Sequence, residues 1–195
     1  MRRFVLVAGL LCAAGVSAVQ AQVKWDSPFL AAPRPKPGFG IYLVDLDVGG
    51  VGAMVTWQPT PTSWSLRGGL AESPRNDIAA ILGADVSGPI TRSSSQMPLD
   101  IDWVLGIGAG IAEDVVVSVP AGVSLGHTFQ GDGASFTPYA TPRVILDGWF
   151  GSPGDNLFLG FAVDLGLDLQ LQGNWRIRFG GSIGDREAIA IGVAF

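Results

Sequence analysis

Alternation with a period of two runs through most of this chain and reaches its highest contrast in residues 157–172. Leu157, Leu159, Phe161, Val163, Leu165, Leu167, Leu169 and Leu171 fall on one face there. Phe158, Gly160, Ala162, Asp164, Gly166, Asp168, Gln170 and Gln172 fall on the other. Successive side chains of a strand point to opposite faces, so the segment predicts a strand with one apolar face and one small, amide or acidic face. The pattern returns in Ile101, Trp103, Leu105, Ile107, Ala109 and Ile111, which oppose Asp100, Asp102, Val104, Gly106, Gly108 and Gly110. It recurs in Val115, Val117, Val119, Ala121, Val123 and Leu125 against Val116, Ser118, Pro120, Gly122, Ser124 and Gly126. Ile78, Ala80, Leu82, Ala84 and Val86 likewise oppose Ala79, Ile81, Gly83, Asp85 and Ser87. Near the start, Tyr42, Val44, Leu46 and Val48 are set against Asp45 and Asp47.

Turn chemistry cuts the chain at residues 58–63, 72–77, 91–98, 113–114, 130–133, 151–156 and 173–174, giving eight strands. Gly49-Gly50 and Gly184-Asp185-Arg186-Glu187 are two further candidate turns. Single-chain barrels favour even counts, so both turn or neither does. Left unsplit, residues 174–195 would make a last strand about twice the ~9–11 residues that cross a bilayer. Ten strands are therefore preferred over eight.

Such repetition suits adjacent strands sharing one greasy wall. Mean hydropathy is +0.38, yet beyond the N-terminus no apolar run approaches the ~20 residues of a spanning helix. Hydrocarbon then leaves only a closed barrel, because each unpaired backbone group there costs several kcal/mol. The expected fold is all-β, a transmembrane antiparallel up-and-down β-barrel. A soluble periplasmic lipid-binding barrel is the alternative that turns the apolar face inward, but a face carrying Asp164, Asp168 and Gln170 better suits a wet or ion-paired lumen.

Residues 1–21 have a signal-peptide layout: Arg2 and Arg3, an apolar stretch from Phe4 to Val16, then small and polar residues to Ala21. Leu11 occupies the small-residue place that lipidation of Cys12 would require, which argues against a lipoprotein. Cleavage after Ala21 leaves no cysteine, hence no disulfide or thiolate site. It also removes two arginines and no acid, taking the formal charge from −5 to −7 and disfavouring nucleic acid as a partner. Residues 22–38 carry Pro28, Pro33, Pro35 and Pro37 and read as an extended periplasmic lead-in, or else as a small plug tucked into the lumen. Residues 39–195 form the barrel.

The C-terminal residues 188–195 place Ile189, Ile191, Val193 and Phe195 on one face and only Ala and Gly on the other. This tail resembles the terminal strand of small bacterial outer-membrane β-barrel proteins, whose last residue is commonly Phe. The resemblance implies the bacterial cell outer membrane, outer-membrane lipids as surroundings, and recognition of those alternating residues by the barrel-assembly machinery.

Alternation assigns Asp45, Asp47, Arg67, Asp85, Asp100, Asp102, Arg143, Asp147, Asp164, Asp168, Arg176 and Arg178 to the lumen. A narrow barrel is filled by its own side chains, and opposite charges can pair inside it. A porin-like, cation-favouring narrow channel is the rival reading, since acids outnumber arginines in this set. His127 is the one histidine and shares parity with the outer wall. Ser124 has the opposite parity, which weakens a Ser/His lipid-modifying enzyme. Gly106-Ile107-Gly108-Ala109-Gly110 lacks the helix that a phosphate cradle needs. Gln130-Gly131-Asp132-Gly133 has one acid, far short of a Ca²⁺ ligand set, and reads as a turn. The expectation is a monomeric, non-enzymatic barrel of structural or interfacial role, without cofactor or metal and with a closed, ion-paired lumen.

Overall fold

In the computed structural model, residues 25, 30–46, 50–59, 64–72, 78–112, 114–150, 156–171 and 173–195 are described. The expected signal peptide, Asp47 and part of the proline-rich segment lie outside them. The strands are β1 (Gly38–Leu46), β2 (Gly50–Gln58), β3 (Trp64–Glu72), β4 (Ile78–Thr91), β5 (Asp100–Ile111), β6 (Val115–Gly126), β7 (Phe129–Gly131), β8 (Ala134–Phe150), β9 (Asn156–Gln170), β10 (Arg176–Gly184) and β11 (Ala188–Ala194). Each pairs antiparallel with its neighbour in sequence, except that β6 and the three-residue β7 lie in line along the same edge of β8. Pairing of β1 with β11 closes the ring, giving a ten-stranded up-and-down barrel. Both candidate sites separate strands: β1 ends at Leu46 and the antiparallel β2 begins at Gly50, and β10 ends at Gly184 with positive φ.

Pro37, Phe195 and the connections after β2, β4, β7 and β9 share one rim, here the terminal rim. The connections after β1, β3, β5, β8 and β10 form the opposite rim. Apart from the three-residue β7, strand length varies from seven residues in β11 to 17 in β8, so the wall is taller along β8 and β9 than beside the termini.

Burial follows the alternation. Leu43, Leu70, Leu82, Ile107, Leu159, Phe161 and Ile189 face outward and are exposed, whereas Met54, Ile81, Ser118, Asp164 and Ala190 face inward and are buried. Ile189, Ile191 and Phe195 lie on the outward face of the closing strand and its end. On the terminal rim, Trp57 meets Trp64 edge-on at 5.2 Å, and Phe195 lies 5.3 Å from Trp175.

β1 corrects one expectation. Tyr42, Val44 and Leu46 point into the barrel, while Phe39, Ile41, Leu43 and Asp45 point out. The strand is apolar on both faces, so alternation alone could not orient it. Its register does: residues directly opposite in an antiparallel pair share a face, and Leu43 opposes Ile191 while Tyr42 opposes Gly192.

The proline-rich segment supplies the second correction. Trp25 and residues 30–33 are buried inside the barrel, so this part is a lumen plug instead of a lead-in outside the wall, while Arg34, Lys36 and Pro37 are exposed at the mouth. Eight strands leave an interior that side chains can just fill; ten leave more, and the segment takes up that room.

Candidate functional site

The lumen has two sectors. Along β1–β4 and β11 it is apolar, with Tyr42, Val44, Leu46, Met54, Ala71, Ala79, Ile81 and Ala190 in one buried cluster together with Trp25 and Leu30. Two tyrosines cover glycines on the inner wall. A methyl group on Gly192 would sit 2.3 Å from the Tyr42 ring, and one on Gly166 would sit 2.0 Å from Tyr139. Flattening an aromatic ring over a glycine fills the space the missing side chain leaves.

The other sector, centred on β8–β10, is built from ion pairs between inward positions on neighbouring strands. Arg143 on β8 grips Asp164 on β9 through Nε at 2.9 Å and Nη2 at 2.8 Å, and Nη2 also donates to Ser182. Arg178 on β10 holds Asp168 directly opposite it, through Nε at 2.6 Å and Nη2 at 2.5 Å. One further pair lies within the otherwise apolar sector, where Arg67 on β3 donates Nε to Asp85 on β4 at 2.8 Å. Toward the opposite rim, Arg186 pairs with Asp147, and Ser118 donates to the same carboxylate oxygen at 2.6 Å.

At the terminal rim the cations come from loops. Arg34 of the plug meets Asp100 through Nε at 2.8 Å, and Arg92 pairs with Asp102. Buried charges of this kind are tolerable only when paired and hydrogen-bonded. Of the lumen charges read from alternation, Arg67, Asp85, Asp100, Asp102, Arg143, Asp147, Asp164, Asp168, Arg176 and Arg178 face inward. Asp45 faces outward, for the register reason given above, and Asp47 lies outside the described residues. Arg186 was missed because its position reads as a tight turn. Arg34 and Arg92 belong to segments with no alternation to read.

Wall donors also hold the plug's backbone. Ser124 Oγ donates to the Ala31 carbonyl at 2.6 Å, and Thr141 Oγ1 to the same oxygen at 3.4 Å. Arg178 Nη1 donates to the Leu30 carbonyl at 3.0 Å, and Arg176 Nη2 reaches the Lys36 and Pro37 carbonyls. Arg34 N–H donates to Asp102 at 3.1 Å. Lys36 bonds Gln170 at the mouth, where partial burial and the Arg176 guanidinium lower its ammonium pKa and Asp168 raises it. A cavity of about 20 Å³ remains beside the plug, lined in part by Ala31, Pro35, Ser65 and Arg67. That volume has room for a water.

His127 lies on the outer side of the wall at the terminal rim, edge-on to Phe129 at 4.5 Å. Ser124 points into the lumen toward Ala31, so the two stay on opposite faces. Trp149, near the end of β8, has inward parity and meets Phe158, which has the same parity. Asp132-Gly133 forms the turn between β7 and β8, with Gly133 at φ +82°. Among the described residues there is no group of three or more His, Cys, Asp or Glu placed to hold a metal.

No protein-family model matches the chain, and no curated protein does. Among solved structures, one described as a de novo design of transmembrane β-barrels is similar: 11% identical over 84% of this chain and 98% of that chain, with a TM-score of 0.38. A likeness that remote carries nothing about function. Among the described residues no helix is long and apolar enough to cross a membrane, which says nothing about crossing with strands.

Proposed function

We propose that this chain is a bacterial outer-membrane β-barrel of structural or interfacial role, its lumen closed by ion pairs and by its own N-terminal segment. The outer wall carries the reading. Large apolar side chains cover it on every long strand, among them Leu43, Leu70, Leu82, Ile107, Leu146 and Leu159, all exposed. A soluble monomer rarely exposes contiguous apolar surface beyond a few hundred Å². Lipid tails satisfy such a wall, and the closed strand ladder leaves no edge of unpaired backbone within them.

The interior supports a closed state and a non-enzymatic role. Its arginines are engaged by aspartates or by plug carbonyls, and Ser124 and His127 do not share a face. The barrel-assembly machinery is the proposed partner for insertion, and the barrel works as a monomer. Reconstitution into planar bilayers tests closure. The intact protein is expected to give a silent membrane at moderate voltage, and reproducible unitary steps would favour a narrow cation-preferring channel instead.

A further inference from the structure

We propose that the lumen wall is a binding site for a proline-rich peptide, with residues 30–37 as its resident ligand in cis. The inference rests on the closed-lumen reading and goes beyond it: the same wall would accept such a peptide in trans once the resident segment is gone. The wall's hydrogen bonds to the segment go mainly to main-chain carbonyls. Ser124 and Thr141 converge on Ala31, Arg178 on Leu30, and Arg176 on Lys36 and Pro37. Carbonyl-directed recognition matches a segment containing Pro33, Pro35 and Pro37, which have no N–H to satisfy. Where an N–H is present, at Arg34, an acceptor meets it in Asp102.

Arg178 is suited to this role because Asp168 takes its Nε and Nη2 and leaves Nη1 for the peptide. Its charge is therefore compensated with or without the plug. Other ion pairs join wall residues to one another: Arg143–Asp164, Arg67–Asp85 and Arg186–Asp147. Against the wall the segment leaves the cavity of about 20 Å³, room for one water.

The test is a variant lacking residues 25–36, reconstituted in planar bilayers beside the intact protein, with a synthetic peptide of residues 25–37 as the probe. The deletion variant is expected to conduct, the peptide to close it at micromolar concentration, and a scrambled peptide to leave it open. Adding Ser124→Ala and Thr141→Val should weaken the block roughly tenfold. A deletion variant that retains its heat-modifiable mobility yet stays silent, or one that conducts without being blocked by the peptide, overturns the proposal. Should the deletion abolish the folded band, Ser124→Ala with Thr141→Val in the full chain is decisive. Brief openings suppressed by added peptide support the site, and a membrane as silent as that of the intact protein overturns it. Conduction by the intact protein contradicts the closed-lumen reading itself, an outcome separate from any of these.

Discussion

Arg143 and Asp164 face each other inside the wall, both almost fully buried, with two guanidinium–carboxylate hydrogen bonds between them. Removing one partner strands the other charge away from water. Arg143→Ala is expected to cost about 3–5 kcal/mol in urea unfolding from lipid vesicles, and pairing Arg143→Met with Asp164→Leu to recover most of it. A cost below about 1 kcal/mol would place this pair in solvent. The inward parity of both residues was legible, because β8 and β9 alternate over a long stretch. Partners that depend on closure were not. Asp147 finds Arg186 across β9, and no local pattern at residues 184–187 reveals an inward arginine. At β1, where both faces are apolar, only register decides. Leu43→Arg would put a charge into lipid at a cost of about 2–4 kcal/mol if it lies near the bilayer midplane. Asp45→Asn, outward near a strand end, should change stability little, and the same unfolding assay checks both.

The strands themselves were written plainly in the sequence. Turn residues marked the breaks, and an overlong last segment argued for splitting it at Gly184. The plug was not legible in the same way, since prolines and a lack of periodicity describe a solvated linker as well as a segment threaded through a lumen. The difference lies in barrel width, which belongs to all ten strands together. Element packing makes its own prediction at the β8–β9 pair, where Tyr139 lies over Gly166. Gly166→Ala must push the ring aside and should destabilise the barrel by about 1–3 kcal/mol. Tyr139→Phe should be nearly neutral, because the buried hydroxyl makes no hydrogen bond among the described residues. Comparing unfolding midpoints of the two variants checks both; a neutral Gly166→Ala would mean the ring does not rest there.

For the molecule as a whole, burial is inverted on the outside and ordinary on the inside. The wall turns leucine, isoleucine and valine outward, while the interior joins an apolar sector around Trp25 to a sector of arginine–aspartate pairs. That arrangement explains how an acidic chain can form a closed barrel with an apolar outer surface. The central claim is that this closed wall resides in a membrane, and it is tested most directly by SDS-gel mobility of the protein in carbonate-washed outer membranes, unboiled against boiled. The account predicts that the protein stays with the membrane pellet and runs at a different mobility when unboiled, moving to its unfolded position on heating. Release into the carbonate supernatant with a single, heat-independent band would contradict it.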